Sequence, residues 1–224
     1  RQYCCFILDK IVAKRMIYSV IAQTETYKLK QLMLMLDHFQ VAYTKEQIFS
    51  MAGTIGSEVL KKMQKLFYQD AAFIAHQDEI LAFKTTRSDL KALKTKNLDE
   101  LLTVLKNRYL KLAVASNSSA ARLQTALDSL SIASAFDLIA SATDLGRLKP
   151  DPYVYQYAMA VFNVRPDETL IIEDSQLGIA AGKKAGAYVA ALKDELGAID
   201  QRGADIILED IGKVVEFIDF INLP

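Results

Sequence analysis

Glycine and proline are scarce in this chain, at 9 and 4 of 224 residues, and that scarcity excludes collagen-like, linker-like and low-complexity organisation. Neither sign of charge predominates, since 27 basic residues face 27 acidic ones. A balanced surface sets up no broad field, so nucleic acid and anionic membranes are not expected partners. No run of 18 apolar residues occurs, and the opening run YCCFIL is cut short by Asp9 and Lys10, too early for a spanning helix or a secretory signal. The two cysteines, Cys4 and Cys5, are neighbours. A bond between adjacent sulfurs is strained, so both are expected to be buried free thiols, and the expected location is the cytoplasm. What remains is a chain 51% hydrophobic, long enough for one large core or for a core carrying a smaller insert.

Periodicity divides that length in two. From Thr24 to Lys94 the apolar residues recur at three- and four-residue spacing (Tyr27, Leu29, Leu32, Met33, Leu36, Phe39), and Thr44-x-x-Gln47 has the form of a capping box. Helices are predicted over 56–68 and 79–93, with the loop MAGTIGSEV between. Met33, Met35, Met51 and Met63 read as core of this helical block. His38 and His76 have no ligand-spaced companions, which argues against zinc. From Leu110 onward short apolar runs alternate with helical stretches. LKLAVAS, FDLIAS, TLIIE, AYVAAL and DIIL read as strands, with helices over 120–130, 152–162, 176–185 and at the end of the chain. The front segment YCCFILDKIVAKRMI supplies one more strand. Such alternation specifies an α/β fold with a doubly wound parallel sheet. The predicted organisation is a core of residues 1–22 and 96–224, with an all-helical cap of residues 23–95 inserted after the first strand.

In open parallel sheets ligands bind beyond the carboxyl ends of the strands, and three predicted strand ends carry polar groups. Ser116 and Asn117 follow LAVA. Arg147, Lys149 and Pro150 lie in the loop after FDLIAS, and Glu173, Asp174 and Ser175 follow LII. Singly, each has a bland reading as a helix cap or a solvated charge. Jointly they offer a hydroxyl, backbone N–H donors, an ammonium and two carboxylates, the set that suits a phosphate beside a hard cation.

The order and spacing of LAVASNSS, GRLKPDPYVY and IIEDSQLGIAAGKKAGA resemble the second, third and fourth motifs of the haloacid dehalogenase superfamily, in particular its branch with a helical cap that includes β-phosphoglucomutase. The resemblance implies phosphatase or phosphomutase chemistry on a small phosphorylated molecule with Mg²⁺. It assigns Ser116, Asn117 and Lys149 to the phosphate, and Glu173, Asp174 and a backbone carbonyl at Tyr18 to the metal.

The family's first motif, D-x-D-G-[VT]-[LI]-x-[DN]-[ST], is the exception. Laid on RMIYSVIAQTE it matches Val20, Ile21, Thr24 and Glu25, which puts Met16 at the nucleophilic Asp, Tyr18 at the acid/base Asp and Ser19 at the Gly. A thioether is no phosphoryl acceptor and is a poor ligand for a hard cation, and a phenol is a weak base at neutral pH. Acid/base help is worth about 10²–10⁴ in rate and a nucleophile on the order of 10⁶. Loss of both predicts binding with turnover lost or severely impaired. The alternative makes YCCFILD the strand and Asp9 the nucleophile of a working phosphatase; it leaves Ile11 where the acid/base belongs. A further alternative is a partner-binding protein on the same scaffold. The cap loop MAGTIGSEV keeps Gly53 but lacks a basic residue, so discrimination of a phosphosugar by this loop is not expected.

Overall fold

The computed structural model describes residues 15–18, 24–52, 57–82, 91 and 94–221, with Arg15–Tyr18 described as backbone. Cys4, Cys5, Asp9, Ser19, Val20, Ile21 and Gly53 lie outside the described residues. Six strands form one parallel sheet: β1 (Arg15–Tyr18), β2 (Lys111–Ser116), β3 (Leu138–Ser141), β4 (Thr169–Glu173), β5 (Tyr188–Leu192) and β6 (Ile206–Leu208), in the order β3-β2-β1-β4-β5-β6. β4 is buried at every residue and β2 from Leu112 to Ala115. Strands covered on both faces read as unbroken apolar runs, which is why TLIIE and LAVA stood out in the sequence.

The helices of this part are α6 (Leu98–Asn107), α7 (Ala120–Ser129), α8 (Tyr153–Phe162), α9 (Gln176–Lys184) and α10 (Val214–Phe220). Local chemistry starts them where the sequence indicates. The Asp151 carboxylate accepts from Tyr153 N at 2.8 Å, and the Ser175 hydroxyl caps α9 by accepting from Gly178 N at 3.1 Å.

The helical block holds α1 (Thr24–His38), α2 (Lys45–Ser50), α3 (Ser57–Phe67), α4 (Ala71–Ala75) and α5 (Gln77–Ala82). The capping box is formed: Thr44 N donates to Gln47 Oε1 at 2.8 Å and Gln47 N to Thr44 Oγ1 at 3.2 Å. Asp70 caps α4 through Phe73 N at 2.8 Å, a start the periodicity did not mark. Met35, Met51 and Met63 are buried with Leu29, Leu36, Ile48, Phe67 and Phe73. His76 accompanies Glu79 at 3.2 Å and its ring lies 5.2 Å from that of Phe39.

The chain separates into two compact units. One comprises residues 1–21, 95–193 and 201–224, the other residues 22–94 together with Asp194–Asp200. The second unit thus joins the inserted block to a seven-residue segment from far down the chain. Asp194 explains how. Its buried carboxylate accepts Leu196 N at 3.1 Å, Ala198 N at 2.5 Å and Ile199 N at 3.0 Å, closing the loop on itself, and takes Thr26 Oγ1 of α1 at 3.1 Å. Leu196 and Ala198 pack on the helical core.

In the sheet unit, Asp137 ties the start of β3 to β2. Its carboxylate accepts Leu112 N at 2.9 Å and the Lys111 ammonium at 3.0 Å, with Lys106 at 3.6 Å. Burial raises this carboxyl's pKa, but the Leu112 N–H and the two ammonium groups outweigh burial and hold it below its ordinary value. A carboxyl depressed on folding adds stability that is complete above its unfolded pKa and disappears as pH falls through the folded one. Asp137→Asn is accordingly expected to cost about 1–2 kcal/mol at neutral pH. The gap from the parent should close below about pH 4, as read by urea melts at a series of pH values.

Candidate functional site

The strand order supplies the location. From β1 the chain winds outward through β2 and β3 on one side and through β4, β5 and β6 on the other, and a crevice opens beyond the strand ends where the winding reverses. Ser116 ends β2, Glu173 ends β4 and Asp174 follows it, so these three come to the same edge.

Lys149 comes to that edge as well. Its ammonium donates to Glu173 Oε1 at 2.7 Å and to Ala115 O at 3.1 Å. The side chains of this pair are 5% and 1% exposed. Charges so buried persist only when paired and hydrogen-bonded, and Glu173 is surrounded by donors. Tyr155 OH donates to Oε1 at 2.5 Å, while Asp174 N, Ser175 N and the Ser175 hydroxyl donate to Oε2 at 3.2, 3.2 and 2.9 Å.

Two of the predicted ligands carry structural roles at this edge. Glu173, expected as a metal ligand, is the counter-charge of Lys149, with both oxygens engaged by protein donors. Asn117, expected at the phosphate, fixes the loop that carries Lys149. Its Oδ1 accepts Lys149 N at 2.8 Å and its Nδ2 donates to Lys149 O at 3.5 Å, while Thr143 Oγ1 donates to Asn117 O at 2.5 Å. The Lys149–Pro150 peptide bond is cis. Ser116 Oγ accepts Ser118 N at 3.1 Å, which leaves the hydroxyl proton to donate. Asp174 is partly exposed, and its carbonyl accepts Gln201 Nε2 at 2.9 Å while the same nitrogen donates to Leu192 O at 2.7 Å, binding the end of β4 to the end of β5.

The first-motif positions stand differently from expectation. Tyr18 is level with Val114 and Ile172, and Met16 with Leu112 and Leu170. Met16 is thus four residues short of Ser116 and Asp174, about 13 Å of strand, and does not flank the polar edge as the motif alignment placed it. Tyr18, whose carbonyl was assigned to the metal, is two residues short. The slot between β2 and β4 that the Asp9 alternative needs for YCCFILD is filled by Arg15–Tyr18. Among the described residues no three His, Cys, Asp or Glu side chains cluster to hold a metal, and no helix is long and apolar enough to cross a membrane.

Tyr155 and Gly178 were missed by the sequence reading. Tyr155 is fully buried with its ring centroid 4.8 Å from Lys149 Nζ. A Cβ at Gly178 would lie 2.0 Å from Glu173 Cδ. The alternation Tyr153, Tyr155, Tyr157 suggested only residues spread round a helix, and nothing in a linear reading pairs position 155 with 173.

A parallel sheet with this strand order, a helical insertion after its first strand and a buried lysine–carboxylate pair at the switch point define a doubly wound α/β protein. The chain belongs to the haloacid dehalogenase-like hydrolase family, whose model matches residues 19–192. Over 136 residues it is 29% identical to a validoxylamine A 7'-phosphate phosphatase of Streptomyces hygroscopicus subsp. limoneus, covering 61% of this chain and 64% of that one. It is 33% identical to the β-phosphoglucomutase of Bacillus subtilis, covering 58% of each. The matches thus span less than two thirds of these relatives' own lengths. A conserved haloacid dehalogenase-like protein of unknown function from Agrobacterium tumefaciens has the same fold, with a TM-score of 0.72 and 21% identity over 94% of this chain and 99% of that one.

Proposed function

We propose that this protein binds the phosphoryl group of a small phosphorylated molecule at the β2–β1–β4 edge, and that aspartyl-phosphate turnover is lost or severely impaired. Support for binding comes from Lys149, a cation fixed by Glu173 at the strand ends, from the Ser116 hydroxyl beside it, and from two relatives whose names specify phosphorylated substrates or phosphosugar rearrangement. The observation that carries the loss of turnover is independent of register: from Lys10 to Thr24 the sequence contains no Asp or Glu. Wherever the first strand ends within that stretch, it offers no carboxylate oxygen to phosphorus.

Magnesium, which the family implies, requires about six oxygen ligands. At this edge the described residues include two carboxylates, Asp174 and Glu173, the second of which is engaged by Lys149, Tyr155 and Ser175. Among the described residues that set falls short of the ligand shell a tightly held divalent cation needs.

The test combines a binding and a turnover measurement. Inorganic phosphate is expected to raise the melting temperature, since a ligand at 100 times its Kd adds about 2.7 kcal/mol, and Lys149→Met should abolish the shift. Aryl phosphate with Mg²⁺ is expected to show turnover on the order of 10⁶ below that of an intact nucleophile. Turnover that Asp9→Asn eliminates would establish the working-enzyme alternative.

A further inference from the structure

We propose that Tyr155 is a positioning residue for phosphoryl binding, holding the Lys149 ammonium from two directions. The inference rests on the phosphate reading of Lys149 given above. Tyr155 is 0% exposed, in the first turns of α8. A buried phenol needs a partner for its hydroxyl, and a backbone carbonyl would satisfy that need without involving any charge. Here the hydroxyl donates to Glu173 Oε1 at 2.5 Å, the same oxygen that receives Lys149 at 2.7 Å. Hydrogen bonds to an ionised acceptor are short and strong. This one divides the carboxylate, so that Oε1 serves the side chains of Lys149 and Tyr155 while Oε2 serves the turn at Asp174 and Ser175.

The second hold is the ring. Lys149 Nζ lies 4.8 Å from its centroid, within the range where the face of an aromatic attracts a cation. Ring, carboxylate and the Ala115 carbonyl therefore enclose the ammonium on three sides and fix its direction. A lysine has a flexible four-carbon stem, so a phosphoryl group meets a fixed charge only if something other than that stem fixes it. Tyr155 contributes through both of its parts, and neither part touches the ligand.

The experiment uses the full chain with ¹⁵N-labelled lysine, and reads the Lys149 ammonium by ¹H–¹⁵N correlation together with the affinity for inorganic phosphate. A slowly exchanging ammonium signal, absent from Lys149→Met, is expected in the parent. In Tyr155→Phe, which keeps the ring, the signal should broaden or vanish and the Kd for phosphate should rise roughly tenfold, with the fold retained by circular dichroism. A Tyr155→Phe protein that keeps both signal and affinity would overturn the proposal, as would loss of the signal with unchanged affinity. Should that variant fail to fold, ring-labelled tyrosine in the parent decides: phosphate must shift the Tyr155 ring and the Lys149 ammonium at a common Kd, and their independence would overturn it. If parent and Lys149→Met both fail to bind phosphate, the phosphate reading falls and the positioning role for phosphoryl binding falls with it. A surviving ammonium effect in Tyr155→Phe then marks that outcome as distinct from a failure of Tyr155 itself to hold Lys149.

Discussion

Lys149→Met is expected to lower the stability of the sheet unit by about 3–5 kcal/mol, a drop of roughly 10 °C in melting temperature for a protein of this size. The cost does not come from the attraction lost, which burial of two charges largely cancels. It comes from what is left behind. Glu173, 1% exposed, keeps its bonds from Tyr155 and Ser175 but loses its counter-ion, and an uncompensated buried carboxylate is among the most expensive single defects a core can carry. The pair logic fixes the sign of a second measurement. Lys149→Met combined with Glu173→Gln removes both charges and is expected to recover most of the stability, because a buried pair replaced by neutral groups of similar size is often near neutral. Phosphate binding should not return with it. Thermal melts of the two single variants and the double variant check the first claim, and phosphate titrations the second. If Lys149→Met alone melts with the parent, the pair is not the organising element of this edge.

How much of this was legible in the sequence follows from which forces act locally. The strands TLIIE and LAVAS were legible because two-sided burial demands unbroken apolar runs, and the caps at Thr44 and Asp151 because they act over two or three residues. Ser116, Lys149 and Asp174 could be nominated because strand ends face the crevice. Their partners could not. Lys149 and Glu173 are 24 residues apart, and nothing in a linear reading pairs them. The structural role of Asn117 was hidden for the same reason, since its amide serves the backbone of residue 149 across a distance of 32 residues. The segment Asp194–Asp200 joins the helical unit through contacts distant in sequence, the Asp194 bond from Thr26, 168 residues away, and the packing of Leu196 and Ala198. The first-motif positions differ for another reason. A motif match sets spacing along the chain but not the level at which a strand sits in its sheet, and a four-residue difference in level moved Met16 from the polar edge into the body of the strand.

Gly178→Ala sets two effects of known sign against each other in one atom. Gly178 lies in α9, where glycine costs about 0.5–1 kcal/mol relative to alanine, so on helix propensity alone the substitution stabilises. Yet the new Cβ would lie 2.0 Å from Glu173 Cδ and Oε1 and 2.2 Å from Oε2, positions that cannot both be filled. A flexible carboxylate would ordinarily swing aside. This one cannot do so without surrendering Lys149, Tyr155 and Ser175 together, so the methyl group evicts the counter-charge and strands the ammonium. The expected net loss is about 2–4 kcal/mol, with phosphate binding lost alongside. The whole penalty falls on one neighbour, and a double-mutant cycle isolates it. In a Lys149→Met, Glu173→Ala background the carboxylate is gone and so is the charge it neutralised, leaving only the helix term. There Gly178→Ala should stabilise by up to about 1 kcal/mol, a reversal of sign measurable by urea melts. A substitution that destabilises equally in both backgrounds would mean that the backbone of α9, and not the Glu173 carboxylate, requires the glycine.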